Sequence, residues 1–466
     1  MTSSDHAQSA RRATARLTHV SKLWQSCLEA ERLPQLDRWL AHALKQQRQF
    51  GKRDRRAYSE LLFSAVRFGY LAAYLDFVRE RIDPRARTGL GAALAEAAEA
   101  FGRLFAQPDA ALKALRRMPP ERLFQLVGYR YRAEPSLPAW PLTGAPSAGD
   151  EAMLERLFEG LAALRESSPE LWPRLLWAGI PLAFEPALAQ RAARSAWDQD
   201  ALNRFLDAHA RRPPLWLRLN RPERRDEVLE EFRRAGFEVS ERLGALRIEG
   251  ERSVYELDAF EDGAFEIQDL ASQLIGAACA AEPGQLVWDA CAGGGGKTMQ
   301  LAAALRNRGA VYASDIREYK LKEVRRRAAR ARFDNVRTFV WQGEALAELP
   351  REVAKQGGFH WVLVDAPCSS SGTWRRNPDA RFRADPSAVA ELADLQLRLL
   401  EAAAPAVRPG GRLVYATCSW LTDENEAVVE RFLAKWPGFR LERQALHGNP
   451  YEDSDTMFSA SLHRFG

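Results

Sequence analysis

The sequence predicts a multidomain chain ending in an α/β domain with a mostly parallel sheet, preceded by a small α/β domain and an all-α N-terminal domain. Three observations carry this. Beyond Ile267, short apolar runs alternate with amphipathic helical stretches, the order that builds a parallel sheet with helices on both faces. From about Val20 to Arg130 the apolar residues recur at helical spacing. At 466 residues, 46% of them apolar and 28% charged, the chain is long enough for about two to four compact units with real cores.

Taken in order, residues 1–20 (MTSSDHAQSARRATARL and the residues after it) lack the apolar core of a secretory signal and read as a basic tail. Residues 21–130 read as a helical domain, carried by LPQLDRWLAHALKQQRQF and RAYSELLFSAVRFGYLAAYLDFV. At the junction, KQQRQFGKRDRRAY gathers Lys45, Arg48, Lys52, Arg53, Arg55 and Arg56 around Gly51. Such a run is either a solvated face or a corner turned toward phosphates, with Arg53, Arg55 and Arg56 as its candidate phosphate contacts. Residues 131–150 are rich in Pro, Gly, Ser and Ala and read as a linker; residues 151–210 read as a helical connector.

Residues 211–265 form the small α/β unit, with PPLWLRLN as a strand, RDEVLEEFRRAGFEV as a helix and ALRIEG as a second strand. Residues 266–466 make the last domain. Its strands are QLVWDA, AVYASDI, RTFVWQ, WVLVDAP and GRLVYATCSW, and its helices include TMQLAAALRNRG and SAVAELADLQLRLLEAAAPAV. In such sheets ligands gather beyond the carboxyl ends of the strands, where Asp289, Asp315, Glu344, Asp365 and Cys418 fall.

Composition narrows the function. No window approaches the roughly 18 apolar residues that a bilayer span needs. A soluble, cytoplasmic protein without membrane contact is expected, as a monomer. Cys27, Cys279, Cys291, Cys368 and Cys418 form no CxxC pair, which argues against a disulfide framework or a metal site. The net charge of +5 is modest, but the cations are overwhelmingly Arg. Arg suits phosphates and bases, although a base-composition bias in the genome would produce the same excess.

The run DACAGGGGKTMQLA follows a strand and opens a helix, so Gly293 to Gly296 let a ligand approach the backbone at a helix N-terminus. A nucleotide polyphosphate is one candidate, since Gly296, Lys297 and Thr298 mimic the end of a P-loop. That spacing needs a glycine where Cys291 stands. A nucleoside cofactor without polyphosphate fits better, with Asp315 about 20 residues on to accept from ribose hydroxyls and Glu344 to face the ribose or the base.

In order, CAGGGGKT, SDI, QGE, DAPCSSSGTWRRNPD and YATCSWLTDEN resemble the RsmB/Sun family of RNA cytosine-5 methyltransferases, and GAFEIQDLASQL resembles the segment that introduces their catalytic domain. More weakly, residues 37–74, above all FGKRDRRAYSELLFSAVR, resemble a NusB-like RNA-binding domain. The chain departs from the family pattern at Gly293 and Gly294, at Glu344, and at Asp455 to Phe458.

The resemblance implies a Rossmann-like methyltransferase domain that uses S-adenosylmethionine on RNA, with ribosomal RNA favoured over transfer RNA. It implies cofactor contacts at Cys291, Ala292, Gly293, Gly294, Gly295, Gly296, Lys297, Asp315, Glu344 and Asp365. It assigns Cys418 as the nucleophile and Cys368 as the helper in product release, and it places Lys297 in the active site rather than on the surface at a helix start.

The chemistry explains the two thiols: a thiolate added at C6 turns C5 of cytosine into a carbon nucleophile, and must later be expelled. Asp365 suits hydrogen bonding to N3 if burial raises its pKa. The loop TWRRNPDARFR offers Trp374, Arg375, Arg376, Arg381 and Arg383 to the RNA strand. Cys27, Cys279 and Cys291 read as small apolar fillers, although the resemblance lends Cys291 to the cofactor turn through its backbone. The rivals are a nucleophile at Cys368, as in DNA cytosine-5 methyltransferases, and a non-catalytic RNA-binding factor.

Overall fold

The computed structural model describes residues 3–47, 49–82, 89–143, 145, 151–250 and 252–465. The chain divides into two compact units: Met1–Arg212 with Thr373–Pro386, and Pro213–Gly372 with Ser387–Gly466.

The first unit is built around the helix Lys52–Arg79, which is buried at almost every position from Ala57 to Val78. The helices Leu90–Leu104, Pro120–Arg132, Glu151–Ser167 and Trp172–Ala178 pack against it. By length and composition Lys52–Arg79 would pass for a membrane span, which corrects the reading that no window does; its apolar stretch is 94% buried inside the bundle. The expected basic tail is the first half of a helix, Ser3–Leu28, that buries Ala13, Leu17, Val20, Trp24 and Cys27 at intervals of three and four.

The start of the expected linker is also packed, with the ring of Trp140 lying 4.8 Å from that of Tyr131. Gly144 and residues 146–150 fall outside the described residues, as does Arg48. The stretch read as a separate connector, residues 151–210, shares one compact unit with the helices before it.

The second unit opens with strands β1 (Leu215–Leu219), β2 (Glu238–Arg242), β3 (Ala245–Glu249) and β4 (Phe265–Ile267), paired antiparallel in the order β2-β3-β1-β4. Leu243 and Gly244, with φ of 50° and 80°, close the β2–β3 hairpin, since a two-residue turn that follows the strand twist needs positive φ at both positions. Next come β5 (Leu286–Asp289), β6 (Ala310–Asp315), β7 (Val336–Val340), β8 (Phe359–Asp365), β9 (Val407–Thr417), β10 (Phe439–His447) and β11 (Met457–Arg464).

These seven strands lie in the order β10-β11-β9-β8-β5-β6-β7. β5 to β9 run parallel, and β10 and β11 add an antiparallel edge that the sequence reading did not anticipate. Apolar cores cover both faces, one with Trp288, Phe359, Leu400 and Phe432, the other with Ile275, Met299, Val324 and Leu363. This is the expected Rossmann-like sheet, and its order reverses between β5 and β8, where the carboxyl ends open a crevice.

Candidate active site

Past the tip of β5, the backbone turns through Ala290 to Gly295 before entering the helix Gly296–Ala304. Gly295 has φ of 85°, and a Cβ there would stand 3.1 Å from a Val324 methyl, so only glycine fits. Gly293, also left-handed at 54°, has open space where a Cβ would be, as has Gly296. The turn is held from β6: Ala292 N–H donates to the Ser314 carbonyl at 2.8 Å, and Gly293 N–H to Asp315 Oδ2 at 3.1 Å.

Asp315 ends β6 nearly buried and also accepts from the backbone and guanidinium of Arg317. Burial opposes its charge, but these donors outweigh it and hold the carboxyl below its ordinary value. Glu344 is exposed in the loop four residues past β7, where its carbonyl accepts from Trp341 Nε1 at 2.6 Å. Asp289, at the tip of β5, accepts from Thr298 Oγ1 at 2.6 Å, and its other oxygen is buried without a partner.

The two sulfur atoms come from adjacent strands. Cys368 follows β8, Cys418 follows β9, and their Sγ atoms are 3.2 Å apart. Neither residue is sealed from solvent. Ser370, in the left-handed region at φ 57°, places its Oγ 3.4 Å from Cys418 Sγ.

The contact splits the pair. Hydrogen bonding from Cys368, helped by Ser370 and Lys297, carries the Cys418 thiol below its ordinary value despite burial. The same bond, with burial, pushes Cys368 well up. Lys297, the second residue of the helix Gly296–Ala304, donates to Asp365 Oδ2 at 2.7 Å. Two sulfurs, the Lys297 amine and the Asp365 carboxyl group thus lie past the tips of β5, β8 and β9.

Residues 277–459 match the family model for 16S rRNA methyltransferase RsmB/F. Over those residues the chain is similar to the RsmB/F family. Ribosomal RNA small subunit methyltransferase B of Pseudomonas syringae pv. tomato is 37% identical over 264 residues, which cover 55% of this chain and 56% of that protein. The protein of the same name from Salmonella paratyphi C is 33% identical over 275 residues, 56% of this chain and 62% of its own length. The chain therefore matches only about six-tenths of the length of these curated relatives. Among solved structures, PH0851 shares the fold with a TM-score of 0.65 and 23% identity, over 95% of this chain and 99% of its own.

The matched residues include the glycine turn, Lys297, Asp365 and both thiols. The candidates for RNA contact fare differently. Trp374, Arg375 and Arg381 are buried in the helical unit, which corrects their expected exposure to RNA. Arg375 donates to the Ala208 carbonyl, and Arg381 to those of Arg67, Ala178, Gly179 and Trp374. Arg383 is more exposed but is tied to the Leu33 carbonyl and Asp379, while Arg376 is half-buried.

Arg55 closes the end of the helix Leu36–Gln46 by donating to the carbonyls of Leu44, Gln47 and Phe50, so only Arg53 and Arg56 of that trio are exposed. Cys27 and Cys279 are buried fillers, as expected, and Cys291 is half-buried. The sequence reading passed over Glu424, Asn425 and Gln396. Glu424 and Asn425 close the motif YATCSWLTDEN, which carries the resemblance but by itself gives them no role, and they precede the helix Glu426–Lys435.

Proposed function

We propose that this chain transfers the methyl group of S-adenosylmethionine to C5 of a cytosine in RNA, with ribosomal RNA as the substrate, through a covalent bond between Cys418 and C6. One observation carries the reading: two thiols from neighbouring strand tips stand 3.2 Å apart, with the hydrogen bond between them lowering Cys418 and raising Cys368. The names of the matched relatives support ribosomal RNA as the substrate.

The residues suit the methyl donor. The turn has room beside Gly293 and Gly296, and Asp315 offers carboxylate oxygens for ribose hydroxyls once the half-exposed Arg317 side chain swings aside. S-adenosylmethionine supplies, when bound, an electrophilic methyl group. The chain's own residues do the rest.

The Cys418 thiolate forms a bond to C6, and the electron pair released from the C5–C6 double bond makes C5 nucleophilic. Lys297 and Asp365 flank Cys418 and can hold the ring polarised as charge moves onto it. C5 forms its bond to the methyl carbon as the bond from that carbon to the donor's sulfur breaks; solvent then takes the proton from C5, the C5–C6 double bond re-forms and the bond from Cys418 sulfur to C6 breaks. Cys368, donating to the departing sulfur, stabilises the thiolate that leaves.

Bisulfite sequencing of RNA from cells with and without the chain tests the reading. A ribosomal cytosine protected only when the chain is present is the expected result. Protection confined to transfer RNA would overturn the substrate assignment. Absence of S-adenosylmethionine binding by calorimetry would overturn the enzyme.

A further inference from the structure

Glu424 and Asn425 are adjacent in the chain, fully buried, and each is tied to the flanks of a different thiol. Glu424 Oε1 accepts from the Ser369 N–H at 2.8 Å and from Gln396 Nε2 at 3.0 Å, and its Oε2 accepts from Ser369 Oγ at 2.5 Å. Gln396 Nε2 also donates to the Pro367 carbonyl at 3.0 Å, so both neighbours of Cys368 are fixed. Asn425 does the same for Cys418: it accepts from Thr417 Oγ1 at 2.5 Å and donates to the Ser419 carbonyl at 2.9 Å. A single rigid dipeptide therefore sets the spacing of two sulfurs that come from different strands.

We propose that Glu424 is a positioning residue that fixes Cys368 against Cys418 and, by its charge, keeps the proton on Cys368 so that Cys418 is the sulfur that reacts. The inference rests on the methyltransferase reading for its purpose and on this geometry for its substance. Every group that meets the Glu424 side chain is a donor, so the carboxylate acts only as an acceptor. The ionisable groups around the pair are divided: Glu424 acts on Cys368, Cys368 and Glu424 act on Tyr415, and Lys297 and Asp365 act on Cys418. Glu424 disfavours a thiolate at Cys368 in particular, because negative charge beside negative charge is costly in a crevice of low dielectric.

The test is limited alkylation with iodoacetamide, resolved by site with peptide mass spectrometry, between pH 6 and 9. In the unmodified chain Cys418 takes the label first. Glu424→Gln keeps the shape and can still accept at Oε1 while donating to Ser369 Oγ, but it removes the charge. The ratio of Cys418 to Cys368 labelling falls by about tenfold, the factor that one unit of pKa difference carries.

Glu424→Asp keeps the charge but withdraws it by one methylene, and moves the ratio the same way by less. It carries the test if the Gln variant does not fold. A ratio unchanged in both variants overturns the proposal and leaves Glu424 a packing residue. A shifted ratio in a chain that methylates no RNA sustains the proposal and sinks the functional reading instead.

Discussion

Lys297 Nζ lies 2.7 Å from Asp365 Oδ2, with a tenth of the lysine side chain and under a third of the aspartate exposed. Burial alone would drive the lysine toward neutrality, but Asp365 outweighs it and lifts the ammonium above its ordinary value. A fixed positive charge therefore stays beside Cys418 throughout the neutral range. Lys297→Met is expected to raise the Cys418 pKa. The pH curve for Cys418 alkylation then moves up, and methyl transfer falls by about 10²- to 10³-fold, the usual scale for losing a preorganised charge. An unmoved alkylation curve would show that the lysine serves the cofactor turn alone.

The same asymmetry predicts how the two cysteines differ on RNA. Cys418→Ser is expected to abolish any covalent complex on a denaturing gel, since the thiol proposed to bond C6 is gone and the remaining one, Cys368, is held protonated. Cys368→Ser should let the complex accumulate, because the group that donates to the departing thiolate is weakened. The reverse pattern would make Cys368 the nucleophile.

Strand residues and loop residues differ in how far the sequence alone reveals them. Asp289, Asp315 and Asp365 each end an apolar run bounded by turn residues, so their place at the strand tips follows from local pattern. Cys368 and Cys418 meet because β8 and β9 are neighbours, as consecutive strands commonly are. The arginine-rich loop was misread for the opposite reason. Its composition is that of a phosphate-binding loop, yet the fate of Arg381 is set by carbonyls 202, 203 and 314 residues away, which no local window contains. The helix Ser3–Leu28 does have helical spacing, from Ala13 through Cys27, but its basic, Ser-rich start disguised it.

That burial separates two groups of arginines by experiment. Arg381 is fully buried, and burial lowers its guanidinium to about 9, yet it serves four backbone carbonyls. Arg381→Met should destabilise the chain by about 2–4 kcal/mol in urea unfolding, because buried carbonyls lose their donor. RNA affinity per folded molecule should hold. Arg53→Ala, at an exposed site, should leave unfolding unchanged and reduce the salt dependence of RNA binding by about one unit of slope. Equal stability of Arg381→Met and the parent would return that residue to the RNA-facing surface.

Asp289 gives stability a pH dependence of unusual sign for a carboxylate. The residue is 1% exposed, and burial raises its pKa from 3.8 to about 7 against the opposing hydrogen bond from Thr298. Between those values the folded chain keeps a proton that the unfolded chain has lost. The unfolded state thus binds fewer protons, and stability falls as pH rises through the window, flattening above about 7.

Asp289→Asn can still accept from Thr298 Oγ1 and has no charge to bury. The variant should match the parent near pH 4 and exceed it at pH 8. The window spans about three units at about 1.4 kcal/mol each, which bounds the gain at about 4 kcal/mol. Urea unfolding of both chains from pH 4 to 8, with no methyl donor added, measures it. Parallel curves would mean that Asp289 is charged in the folded state and that its second oxygen is solvated.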